Sequence, residues 1–525
     1  GIVGSVVALG AQVGTSSLTI YNALASPVVV WLDGERFVAE PMQPLTATVS
    51  QSGSLDVRAT MQDGREIESF AQKIGGANAK YVYNVAGAAP LYHRSVAYYP
   101  NEAAATNAPD APLRQLGAAR WHTATSYDHL FEESPESIET SSGGVTYREV
   151  LGAATDASPG RQLSLVTDAA ERNRMLLAHA RWDSTESATL SDWLELASED
   201  PAFDVLLAER VKQDANDIVL GRFEQDFSVG PEHEQVCARH LRGAAANPKD
   251  PDLQYLAIRC TPDDAVQNAR FIAAHEQWPK HPWFTFAAGG SHAEAGDYAK
   301  AEPLFEEARR TLRPMREYLT LETARLRRLN GHGEPAALAE LSNASSYLAS
   351  MLAIESGEAE TDSPLEPYAW LAHAKLADAA RLAKAAGEDG HRLLRLIAAS
   401  DGATDAMIDE ALALPIAAGD GDAMLTMYAL AARHGRNTAP FETAIRNDAP
   451  RTADGLLRFL EDLKHGEDPA RVRAAIPSLR LSGRLNLLYA GVVLLGPKAP
   501  AEWRLEVERG LFVGERGYLA SAHGS

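Results

Sequence analysis

Two periods divide this chain. From Ser17 to Pro100, apolar and polar residues alternate in short runs, the two-residue period of strands with one buried face. "SLTIYNA" and "PVVVWLDGERFVAE" are rich in β-branched and aromatic residues, and Asp33-Gly34 breaks the second where a tight hairpin needs positive φ. "LDVRATMQDGREIESF" repeats the arrangement with Asp63-Gly64 at its turn, and "AKYVYNVAG" and "LYHRSVAYY" complete the set. In "LDVRAT", Leu55, Val57 and Ala59 fall on one face and Asp56, Arg58 and Thr60 on the other. About seven or eight short strands predict a small antiparallel β-sandwich over residues 15–100.

Residues 101–160 lose this period. "NEAAATNAPDAP" has the composition of a linker, and "TSYDHLFEESPESIETSSGG" is acidic and Ser-rich. An irregular packing segment is expected here, anchored by Tyr127, Leu130 and Phe131. From Arg161 the spacing of apolar residues becomes three and four, as in "DAAERNRMLLAHARW" and "TLSDWLELASEDP", and no strand pattern returns. The fold class is therefore multidomain, all-β followed by all-α. Residues 161–355 read as helical repeats. A C-terminal helical-hairpin domain is expected over 356–525, where "EPYAWLAHAKLADAARLAKAAG" opens a hairpin of different length. "LNLLYAGVVLLG", Leu485 to Gly496, is too short to span a bilayer and reads as a buried helix.

Prolines recur before helical patterns at Pro251, Pro282 and Pro314, a period of stacked helix hairpins. Between the last two lies "AGDYAKAEPLFEEARRTLRP", with Gly296, Asp297, Tyr298, Ala301, Phe305 and Ala308. This resembles the second half of a tetratricopeptide repeat, with the match confined to 282–314. The resemblance implies that Gly296 ends the first helix, that Tyr298 and Phe305 fill the hairpin core, and that Ala301 and Ala308 permit close approach. Gly289 and His292 fall where the family has a glycine and an aromatic residue. Leu253 to Trp278 and Tyr318 to Ser350 keep the hairpin shape with weaker agreement, and Pro303 departs from the pattern. A solenoid of this kind implies a concave surface that takes a protein or peptide partner, with Trp283, His292 and Lys300 as candidate surface residues.

A hydrophobic content of 45% suits a chain with real cores, and a net charge of −22 argues against nucleic acid as partner. The opening "GIVGSVVALGAQVG" is apolar over 1–14 but shorter than the roughly twenty residues a spanning helix needs. It is expected to be a membrane-anchor tail or a signal remnant, with an ordinary buried segment as the alternative. G-x-S-x-G, G-x-x-x-x-G-K-[ST] and H-E-x-x-H are all absent, and Ser291 and His292, adjacent on a helix, diverge. No catalytic residue, metal or cofactor is expected.

The chain has two cysteines. In "PEHEQVCARHLRG", His233, Cys237 and His240 share a helical face, and a hairpin around Pro248 would bring Cys260 near Cys237. A disulfide, two buried thiols and a zinc site with the histidines are all compatible with this spacing. Tyr81 and Tyr83 share a strand face, either as a carbohydrate- or protein-binding strip or as cross-strand core. The expected function is a non-catalytic interaction scaffold or assembly factor, periplasmic or extracytoplasmic and tethered at its N-terminus to a bacterial envelope. The alternative is a glycan- or peptidoglycan-binding module that works through the sandwich.

Overall fold

The computed structural model describes residues 16–520 except 51, 77, 100–112, 136, 139–144, 344, 358–364, 418–419 and 451. The apolar stretch 1–14 lies outside the described residues. Twelve strands are described: β1 (Ser16–Tyr21), β2 (Val28–Leu32), β3 (Glu35–Ala39), β4 (Pro44–Val49), β5 (Ser52–Met61), β6 (Glu66–Gly75), β7 (Lys80–Asn84), β8 (Leu91–Tyr98), β9 (Arg114–Gly117), β10 (Trp121–Thr123), β11 (His129–Leu130) and β12 (Thr146–Ala153). They form three four-stranded sheets with orders β10-β7-β1-β4, β3-β2-β5-β6 and β11-β12-β8-β9. Pairing is antiparallel except between β1 and β7 and between β11 and β12.

The β2–β3 hairpin turns where the dipeptide predicted it. Asp33 and Gly34 both have positive φ, 48° and 88°, the conformation of a two-residue turn that matches strand twist. Asp33 Oδ1 also accepts from the Asp56 amide at 2.8 Å, which pins the turn to β5. The predicted alternation holds for Leu55, Val57 and Ala59, all buried, but Thr60 is buried as well. Thr60 pairs with Val29, which is buried too, so this end of the outer face is covered although the alternation of β5 continues.

Residues 101–160 are more than a linker. They supply β9 to β12, each of which adds to a sheet begun earlier in the chain. The three expected anchors do hold this stretch: Phe131 stacks on Tyr21 with centroids 4.2 Å apart, and Tyr127 and Leu130 join the same apolar cluster. That cluster draws on all three sheets, including Leu18, Val30, Val57, Tyr83, Leu91 and Leu151.

Helices run from Pro159–Ser164 to Ala501–Gly510. The chain divides into two compact units between Val236 and Cys237, so the sheets and the first helices belong together. In the first unit, His179 and Asp183 on the helix face and exit of Ala169–Trp182 clasp the sheet region. His179 Nε2 donates to the Ala88 carbonyl at 2.8 Å, Nδ1 meets Asp183 Oδ2 at 2.9 Å, and Asp183 Oδ1 accepts from the Ala25 amide at 2.8 Å.

The second unit has no division at 355. One core cluster runs from Ala324 and Leu348 through Leu371 and Leu394 to Phe512, joining residues on both sides of the expected boundary. Leu481–Leu495 is buried on nearly every side, with Leu485, Leu488, Ala490 and Val492 among its enclosed residues. Helices surround it, as its uniformly apolar sequence requires. Among the described residues no helix is long and apolar enough to cross a membrane.

Candidate functional site

The hairpin that carries the sequence pattern is Pro282–Glu294 followed by Tyr298–Thr311. Pro282 occupies the first turn, where its missing N–H is not needed. His281 caps that turn: its Nδ1 accepts from the Phe284 amide at 3.4 Å and its Nε2 donates to Asp252 Oδ1 at 2.8 Å. Gly296 ends the helix at φ 79°, and the following amide of Asp297 reaches back to the His292 carbonyl at 2.8 Å. The two helices meet where Gly289 faces Phe305. A Cβ at Gly289 would lie 2.7 Å from the Phe305 ring, so only glycine permits this separation. Phe305, Ala301 and Ala308 are buried as expected.

Tyr298 behaves differently. It is half-buried, and instead of filling the hairpin core it donates its hydroxyl to Glu506 Oε1 at 2.6 Å, on Ala501–Gly510. Burial and the Glu506 carboxylate raise its pKa. Trp283, expected on the surface, is 5% exposed and lies against Tyr255 and Phe286. Aromatic rings on neighbouring helices claim it. His292 is half-buried, with Nδ1 4.0 Å from Asp297, and burial lowers its pKa. Of the three, Lys300 alone stands well out; its side chain is 67% exposed and pairs with Asp297 at 2.7 Å.

The polar positions on these helices hold another part of the same unit. Glu294 accepts from Asn268 Nδ2 at 2.8 Å and from the Ser478 hydroxyl. Asn268 also donates to Ser478 Oγ at 3.3 Å and accepts from Ser291 Oγ at 3.0 Å. Ser478 lies in the non-helical stretch 476–480, and Arg484 just beyond donates to the Glu294 carbonyl at 3.3 Å. Further along, Arg325 donates to both carboxylate oxygens of Glu515, at 2.6 and 2.5 Å, and to Glu322 Oε1 at 2.9 Å. Burial pushes Glu515 up, but the Arg325 charge and its hydrogen bonds outweigh this and leave the carboxyl lowered. For Glu322 burial wins, and its pKa is raised. Phe512 lies beneath both Arg325 and Arg328, 5.4 and 4.4 Å from its centroid.

Cys237 and Cys260 form a disulfide with a Cα–Cα distance of 5.4 Å, joining Gly230–Ala246 to the end of Pro251–Arg259. The bond consumes both thiolates that a zinc site would require, and no group of three ligating side chains occurs among the described residues. His233 Nδ1 instead faces the Gln225 carbonyl at 3.1 Å and Ser228 Oγ at 3.2 Å. His240 is driven down to about 4 by burial and by the charges of Arg239 and Arg259. Its folded pKa thus lies below the ordinary 6.5, so the unfolded chain takes up the proton first. This contribution to stability is complete above about pH 6.5 and is lost as the pH falls towards about 4. His240→Phe should flatten that part of a pH series of urea midpoints, and an unchanged slope would show that His240 is not the group responsible.

In the first unit, Tyr81 and Tyr83 are 4% and 0% exposed. Tyr81 donates to the Gly75 carbonyl at 2.8 Å and Tyr83 to Glu68 Oε1 at 2.8 Å. These rings are core, so they form no stacking strip. On the β8–β12 pair, His93 and Ser95 both bond to Glu149. The Ser95 hydroxyl donates to the carboxylate at 3.0 Å, and the imidazole meets the other carboxylate oxygen rather than the hydroxyl.

The sequence reading missed a groove of about 460 Å³ on the sheet β3-β2-β5-β6, lined by Trp31, Gly34, Asp56, Arg58, Ser69 and Ala71 among others. The same alternation that turns Arg58 outward also turns Trp31 outward, but only the strand register shows that they are neighbours. Searches against protein-family models, curated proteins and solved structures find no match for this chain.

Proposed function

We propose that this chain is a non-catalytic protein-interaction scaffold or assembly factor of the bacterial cell envelope, whose helices form a tetratricopeptide-like solenoid for a protein or peptide partner. One observation carries this reading, the grip on residues 476–480. Asn268 on Asp264–Gln277 and Ser291 and Glu294 on Pro282–Glu294 form one hydrogen-bonded cluster, and Asn268 and Glu294 hold Ser478 of that non-helical stretch. Side chains on successive helices holding an irregular length of polypeptide is the way stacked hairpins take up peptides. Because residues 476–480 fill that face, the partner is assigned to exposed positions elsewhere on the same hairpins, among them Lys280 and Lys300 at the two ends of Pro282–Glu294.

The disulfide supports an oxidising compartment. The apolar opening supports an N-terminal tether there. The three sheets, which share one core, are read as an elaborated sandwich. The glycan alternative, as placed on Tyr81 and Tyr83, has no exposed ring to rest on. Charge reversal at Lys280→Glu and Lys300→Glu together should abolish recovery of a partner that co-purifies with the unmodified protein from native membranes. Recovery of the same partner in the same yield would exclude both positions from its binding surface.

A further inference from the structure

We propose that the outer face of the β3-β2-β5-β6 sheet binds a saccharide, with Trp31 as the stacking platform. The ladder places Trp31 directly opposite Arg36 on β3 and Arg58 on β5, and Arg58 opposite Ser69 on β6. Asp56 lies two residues from Arg58 on the same face, paired with Ala71. These side chains therefore form one connected surface across four strands, and a groove of about 460 Å³ runs over it. That volume falls in the range of small-ligand sites, about 300–1,000 Å³.

The groups on this surface are uncommitted. Trp31 belongs to no apolar core cluster, and neither another ring nor a cation stacks on its indole among the described residues. Among the described residues its indole N–H has no acceptor, and the Asp56 carboxylate and Ser69 hydroxyl have no hydrogen-bond partner. Arg58 engages only its Nε, with exposed Glu66 at 3.0 Å, leaving the rest of its guanidinium available.

The kind of ligand follows from this set. Backbone amides and carbonyls of the two inner strands, β2 and β5, are spent in the ladder, so apart from the Gly34 turn the groove offers side chains and cannot add a strand. A bound helix would ask for an apolar stripe several residues long, and the row Arg36–Trp31–Arg58–Ser69 has a single apolar member. A pyranose ring meets the surface on both counts. Its C–H face covers the indole, while hydroxyls, which both donate and accept, reach the Arg58 donors and the Asp56 acceptor together. Arg36 and Arg58 are balanced by Asp56 and by Glu66, which pairs with Arg58, and this balance favours a neutral sugar. This site is separate from Tyr81 and Tyr83, whose rings are buried.

The test is titration of the full chain with cellotriose, chitotriose, maltotriose and mannotriose, by saturation-transfer NMR and calorimetry. At least one should bind, with Trp31→Ala weakening it by about tenfold or more, and Trp31→Phe retaining part of the affinity. Asp56→Asn and Ser69→Ala, at exposed positions where folding is not at stake, should each weaken the same sugar. Absence of binding by all four at millimolar concentration, or affinity unchanged in Trp31→Ala and Asp56→Asn, would overturn the proposal.

Discussion

Glu515→Ala is expected to lower the stability of the second unit by about 3–5 kcal/mol, the usual cost of stranding a buried charge. Arg325 is 3% exposed at its side chain, and Glu515 takes both of its terminal nitrogens. With Glu515 gone, the remaining carboxylate in contact is Glu322, itself 2% exposed and already pushed by burial towards its neutral form. It therefore compensates poorly. The Tyr347 hydroxyl, which donates to Glu515 Oε1 at 3.2 Å, would lose its acceptor as well. Urea unfolding measures the loss directly. A companion variant that replaces Arg325, Glu515 and Glu322 together with methionine, leucine and glutamine should recover much of it, because the expense lies in the uncompensated charge. A loss below about 1 kcal/mol for Glu515→Ala would mean that Arg325 is solvated like a surface ion pair.

Removing the disulfide should cost about 3 kcal/mol, from the entropy of closing its loop in the unfolded chain. The cysteines are separated by 23 residues. Reductant should lower the thermal midpoint of the wild-type protein, while a Cys237→Ser/Cys260→Ser double variant should start lower and ignore reductant. Coincident melts for wild type with and without reductant would show that the bond is not formed in the isolated protein. The comparison also bears on compartment, because persistence of the bond in cells requires an oxidising environment.

Local rules carried much of this architecture. The period change near 160 is where strands give way to helices, Asp33-Gly34 is a hairpin turn, and Gly296 is a helix stop, since each depends on backbone preferences legible within a few residues. Gly289 was singled out through the tetratricopeptide resemblance, and the Phe305 ring sixteen residues on is what requires glycine there. Long-range pairing was not legible. Three of the strands at 114–153 run only two to four residues, and sheets begun elsewhere give this stretch its partners. Trp283 and Tyr83 have the composition of binding residues, yet neighbouring rings and a carboxylate claim them. Trp31 went unnoticed for the opposite reason: within "VVVWLDG" it looks like one more core residue, and only the register places this half-buried ring beside Arg58 on the outer face.

The C-terminal residues change how the helical half should be pictured. An open array would leave Asn268, Glu294 and Tyr298 to a partner, whereas here Ser478 and Glu506 answer them. Leu481–Leu495 supplies the apolar filling that a short run of hairpins cannot make for itself, consistent with its near-complete burial. On the proposed scaffold reading, partner recognition would fall to exposed positions, where charged side chains set specificity and encounter rate more than raw affinity.

The most direct test of the scaffold reading is cross-linking of the full-length protein in native membranes, with the linked peptides identified by mass spectrometry. The account predicts reproducible links from Lys280 or Lys300 to one partner protein, lost when both lysines are reversed in charge. Links that reach a partner only from the first unit, or none from these lysines while a partner is retained, would contradict it.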